Sequence, residues 1–149
     1  MEYVAVLPIT NLAQWKVNQI NRCLTTPQFY VSVEGWRFDN EIRTALYMIE
    51  IGVRTEDNVL LFMTEMRYSE LRIITKGLPG EKSLPFFPPK KFFGSTSIEF
   101  VKSRHISLKK YFERISSIKK IDQINEFEKL FHFSAIRDQW DKYRNCIEY

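Results

Sequence analysis

The chain has 149 residues, 44% hydrophobic and 27% charged, which are the proportions of one folded domain with a single core and exclude a disordered segment. Its two cysteines, Cys23 and Cys146, lie far apart with no CxxC spacing, so neither a disulfide framework nor a zinc site is expected, and reduced thiols in a cytosolic protein are the plain reading. Net charge is only +4, yet nine Lys and Arg between positions 90 and 120 stand against Glu99 and Glu113, a concentration that suits either an anionic partner or a solvated basic helix face.

Residues 1–26 read as an N-terminal extension, with Leu12, Trp15, Ile20 and Leu24 at loosely helical spacing. The first residues lack the basic and apolar regions of a signal peptide, and no run approaches the ~18 apolar residues of a membrane span, so any membrane contact is expected to be peripheral. From Phe29 the pattern turns β-rich. Phe29 to Val33, Ala45 to Val53 and Val59 to Met63 predict three strands, joined through the Asp39-Asn40 turn signal and the polar break at Arg54 to Asn58. Short connections favour an antiparallel meander. Arg67 to Lys76 predicts a short helix ended by Gly77. Leu78 to Gly94 holds Pro79, Pro85, Pro88 and Pro89, which deny donors and fix φ, so an extended functional loop is expected.

Thr96 and Glu99 form a capping-box pattern ahead of a helix whose apolar stripe is Ile98, Val101, Leu108, Phe112 and Ile115. Asp122 and Ser134 are candidate caps for two further helices, with Phe127 and Phe131 inward in one and Ile136, Trp140 and Tyr143 on one face of the other. Strands followed by helices, without βαβ alternation, predict an α+β domain: a three-stranded antiparallel sheet packed on a helical subdomain, with a proline-rich loop.

Catalytic signals are weak. His105 and His132 sit in no triad or ligand spacing, and neither a Gly-rich phosphate loop nor a GxSxG sequence occurs. No enzyme activity, catalytic residue, cofactor or metal is expected. The basic residues say more. Arg104 lies three after Val101 and four before Leu108, on or beside the apolar stripe, where a guanidinium must snorkel, pair internally or hold an external anion. Arg67-Tyr68 opens a helix directly after a strand, and Lys90-Lys91 end the stiff proline segment.

These residues resemble the PX (phox homology) domain. Met66-Arg67-Tyr68-Ser69-Glu70-Leu71 is similar to the family's Arg-Arg-Tyr-Ser-Glu-Phe motif, with Met66 and Leu71 as departures. Leu84 to Lys90 is similar to its proline-rich segment with a terminal lysine, and Arg104, Leu108 and Tyr111 fit its Arg-x-x-x-Leu-x-x-Tyr pattern. The resemblance implies a PX-like domain over 27–133, leaving 1–26 as the N-terminal and 134–149 as a C-terminal helical extension. It implies a non-catalytic membrane-targeting module for phosphatidylinositol 3-phosphate on the cytosolic face of endosomal or related membranes. Arg67 then corresponds to the arginine at the 3-phosphate, Tyr68 to the ring under the inositol, Lys90 to the lysine at the 1-phosphate and Arg104 to the arginine at the 4- and 5-hydroxyls. It further implies that Phe92 and Phe93, with Trp36 and Phe38 near the first hairpin turn, enter the bilayer. The competing reading keeps the scaffold as a protein-protein interaction module; nucleic acid is not an expected partner.

Overall fold

The computed structural model describes residues 3–20, 27–77, 86–90, 97–118 and 120–147. Three long strands, β2 (Phe29–Asp39), β3 (Thr44–Thr55) and β4 (Asn58–Arg67), form the expected antiparallel meander. The first hairpin closes where Asp39 Oδ1 accepts the backbone N–H groups of Glu41 and Ile42 at 2.9 and 3.2 Å. The second closes through Glu56-Asp57, with Glu56 in the left-handed region at φ 40°.

Among the described residues the sheet has four strands, not three. β1 (Tyr3–Pro8) pairs antiparallel with β4 and gives the order β1-β4-β3-β2. Pro8 sits at the end of this outer strand, where a missing N–H costs no central ladder bond. The N-terminal stretch is therefore part of the same sheet, and α1 (Gln14–Ile20) follows it.

Alternation along the strands makes two cores. Phe29, Val31 and Val33 of β2, Tyr47, Ile49, Ile51 and Val53 of β3 and Leu60 and Phe62 of β4 face the helices. These are α2 (Tyr68–Leu71), α3 (Ile98–Ile118), α4 (Asn125–Phe131) and α5 (Phe133–Ile147). Val101, Leu108, Phe112 and Ile115 of α3 are buried as the stripe requires, whereas Ile98, the first residue of the helix, is 61% exposed. The start of α3 is capped by the Ser97 hydroxyl, which accepts the Phe100 N–H at 3.2 Å; Thr96 lies outside the described residues.

Asp122 and Ser134 are not the caps their spacing predicts. Asp122 lies in a short 3-10 turn and pairs with Arg137 at 2.8 Å, and Ser134 is already inside α5. His132 ends α4 in the left-handed conformation, its N–H bonding the Glu128 carbonyl. Trp140 anchors α5 by donating its indole N–H to the Arg54 carbonyl at 3.0 Å.

The opposite face of the sheet holds the smaller core of Ile20, Tyr30, Val59 and Leu61, covered by Leu7, Leu12 and Trp15. There Lys16 of α1 is ion-paired with both Glu34 and Glu50, and the Tyr30 hydroxyl donates to Glu50 at 2.7 Å. Tyr30 pairs across the ladder with Gly52, and its ring lies over that glycine: a Cβ at position 52 would fall 1.9 Å from Tyr30 Cε2. The ring is fully buried and tethered at both ends, so it cannot swing clear. Gly52→Ala is expected to lower the unfolding free energy by about 1–3 kcal/mol, despite alanine's smaller entropic cost in a strand. Urea denaturation measures this, and an unchanged midpoint would contradict the packing described.

Candidate functional site

The end of β4, the proline segment and α3 meet around one guanidinium. Arg104 projects from the buried side of α3 and is only 7% exposed. Its guanidinium carbon lies 3.7 Å from the centroid of the Tyr68 ring and 4.5 Å from that of Phe100, one helical turn earlier. Its Nη2 donates to the Pro89 carbonyl at 3.2 Å, and its Nε–H is buried with no acceptor. Among the described residues no carboxylate pairs with it.

Tyr68 is placed by the strand-to-helix transition. Arg67 ends β4 in extended conformation and Tyr68 begins α2, so the ring turns towards α3 and the proline segment. The Tyr68 hydroxyl donates to the Pro88 carbonyl, and Phe87 stacks on its ring with centroids 5.7 Å apart and planes inclined by 27°. Burial raises the Tyr68 phenol above its usual pKa, against the opposing charges of Arg104 and Arg72. Phe87 in turn meets the edge of Tyr111 at 5.1 Å, which fixes the proline segment to α3.

A cavity of about 430 Å³ opens beside this cluster. Its walls include Arg104, Ser103 and Ser107 from α3, Phe100, and Lys90 and Phe86 from the proline segment. Ser103 and Ser107 flank Arg104 in sequence at −1 and +3, so the helix itself brings two hydroxyls to the same opening. Lys90 also borders a second cavity of about 350 Å³ with Arg72, Lys76 and Ser69.

The structure thus brings Tyr68, Lys90 and Arg104 together. Arg67 adjoins Tyr68 in the chain but is not in the cavity wall. Its guanidinium is half exposed, with Nε 3.5 Å from Glu70, whose carboxylate also accepts the Arg67 backbone N–H at 3.1 Å. Phe92 and Phe93 lie outside the described residues. Trp36 packs partly buried against the main core, and Phe38, at the far end of β2, is 37% exposed. The neighbouring pair Phe86-Phe87 divides, Phe87 turning inward and Phe86 standing 96% exposed at the cavity rim.

Sequence reading passed over Phe100, Ser103 and Ser107, although the helical spacing from Arg104 carried the signal. It also passed over Tyr47, whose hydroxyl is buried in the core close enough to Arg104 to interact with it. That position reads simply as one apolar member of a strand.

No curated protein matches the chain. A solved structure, described as the X-ray structure of a designed CISK-PX domain, is similar with a TM-score of 0.50 and 25% sequence identity, covering 66% of this chain and 94% of that one. The family model of the PX domain matches residues 58–134, from the start of β4 to the start of α5. That segment is more than half of the chain and contains the whole Tyr68–Lys90–Arg104 cluster, so the chain belongs to the PX domain family, whose members are in general non-catalytic phosphoinositide-binding modules that attach to membranes peripherally.

Proposed function

We propose that the chain binds the headgroup of phosphatidylinositol 3-phosphate and so carries its protein to the cytosolic face of endosomal or related membranes. The observation that carries this reading is the state of Arg104: a buried cation with no carboxylate partner among the described residues, on the wall of an open cavity. A guanidinium in that position is costly unless an anion or a set of hydroxyl acceptors completes it. Arg104 and the hydroxyls of Ser103 and Ser107 offer polar partners for the inositol ring, and Lys90 supplies a point charge for the 1-phosphate at the cavity mouth. Tyr68 supports the guanidinium from below. Arg67 is the group for the 3-phosphate. Its present partner, Glu70, forms an exposed pair, which is worth little, and a dianionic phosphate displaces it.

Membrane attachment adds two further contributions. Phe86 stands clear of the protein at the cavity rim, where it enters the bilayer interface next to a bound headgroup. Lys102, Lys109 and Lys110 on the exposed side of α3 add general attraction to an anionic surface, up to about 1 kcal/mol each. No helix of the described residues is long and apolar enough to cross a membrane.

Liposome flotation over a panel of phosphoinositides tests the reading, with preference for the 3-phosphate as the expected result. Arg67→Ala should reduce recruitment at least tenfold, since loss of a charge-assisted pair costs roughly 1.5–3 kcal/mol, and should leave the fold intact; unchanged binding would remove Arg67 from the site. Phe86→Ser should weaken binding to vesicles but not to soluble inositol 1,3-bisphosphate, because full burial of a Phe is worth about 1.5–3 kcal/mol and only the vesicle offers it. Equal losses in both assays would exclude insertion. Raising the salt concentration should weaken vesicle binding while headgroup preference persists. Preference that disappears with salt would reduce the recognition to a basic surface.

A further inference from the structure

Among the described residues, two buried polar atoms of interacting side chains, Tyr47 and Arg104, meet no partner in ordinary hydrogen-bond geometry. Tyr47 occupies a core-facing position of β3, opposite Met66 of β4 in the ladder, and is almost wholly buried. Its hydroxyl is buried without a hydrogen bond, and the Arg104 Nε–H is buried without an acceptor. Burial raises the Tyr47 phenol above its usual pKa, and Arg104 lies close enough to offset part of that rise. A neutral phenol oxygen is an acceptor, and Nε–H is a donor only. Buried groups of this kind are almost always paired in folded proteins, so two adjacent exceptions of opposite character call for one explanation.

We propose that the Tyr47 hydroxyl is the acceptor for the Arg104 Nε–H, and that Tyr47 is thereby a positioning residue that turns the terminal nitrogens of Arg104 towards the cavity. This rests on the reading of the cavity as a headgroup site. The Tyr68 and Phe100 rings hold the guanidinium by its faces, but attraction to a ring leaves rotation within the plane weakly defined. The Pro89 carbonyl holds one terminal nitrogen, from a segment that is itself at the cavity rim. A bond at Nε from the sheet fixes the in-plane rotation from the opposite side. With Nε satisfied from the rigid core, the fork presents its terminal N–H groups to the ligand in one orientation, and selectivity among ring hydroxyls depends on that orientation.

The variant is Tyr47→Phe, which deletes the hydroxyl and keeps the ring. In ¹⁵N–¹H spectra of the free protein, the Arg104 Nε–H signal, assigned by its loss in Arg104→Lys, should be protected from solvent exchange. In Tyr47→Phe it should shift and exchange several-fold faster. Calorimetry with soluble inositol 1,3-bisphosphate should show affinity lower by about fivefold in Tyr47→Phe, the scale of one hydrogen bond, and the thermal midpoint should fall as well, because the buried Nε–H loses its acceptor. On an Arg104→Lys background the same change should add no further loss, because a residue acting through Arg104 has nothing left to orient. An Nε–H signal identical in the parent chain and Tyr47→Phe overturns the proposal, as does equal headgroup affinity in the two. If the parent chain binds no inositol phosphate, the phosphoinositide reading fails, and the Nε–H signal alone decides the role of Tyr47.

Discussion

The burial of one guanidinium with no carboxylate partner among the described residues organises this half of the molecule. Removing a cation from water costs several kcal/mol even after relaxation. Arg104 recovers part of that from the Tyr68 and Phe100 rings, where a desolvated cation–π contact is worth about 2 kcal/mol, and part from a single carbonyl. What remains is a protein group under-satisfied in the free state. On the proposed reading, the stability the fold gives up here returns as affinity for the headgroup that completes the arginine. A salt bridge to an internal carboxylate would satisfy Arg104 more fully, and would leave nothing for a ligand to add.

The proline segment is the second half of the same arrangement. Prolines have carbonyls but no N–H, so Pro88 and Pro89 can accept but never donate. Pro88 takes the Tyr68 hydroxyl and Pro89 takes Arg104, which ties the segment to α2 and α3 at successive residues. Phe87, between Phe86 and Pro88, adds ring contacts to Tyr68 and Tyr111. Fixed φ values and three tethers leave Lys90 on a short, stiff base at the point where two cavities meet. Side chains ordered in this way would lose less conformational entropy on binding the proposed headgroup than mobile ones.

Much of this was legible from residue order. The three long strands followed from β-branched and aromatic runs, and α3 from its apolar stripe. Arg104 stood out as a charge on that stripe, and its burial in the structure explains why the pattern was unusual. Features that depend on tertiary partners were not legible. β1 is a short edge strand that exists because β4 offers it an unpaired edge. Ile98 fits the stripe by spacing but stands at the first residue of α3, before the helix reaches the core. Asp122 has cap chemistry, yet Arg137 fifteen residues on competes for its carboxylate. The split of Phe86 from Phe87 follows from the alternation of extended backbone, but which ring turns inward was decided by Tyr68 and Tyr111.

The departure at Met66 fits the same division of labour. Where the family motif has a further arginine, this chain places a methionine that is buried in the main core opposite Tyr47. A charge is removed from the neighbourhood of Arg67, and the packing around the Tyr47 ring is strengthened by a flexible apolar side chain. Exposed charges act through solvent and are screened beyond about 8 Å at physiological salt, whereas a buried guanidinium is screened much less. On the proposed reading, discrimination between ligands depends on the groups with fixed geometry. In this chain those are Arg104, the rings and carbonyls that hold it, and the core residues beneath it.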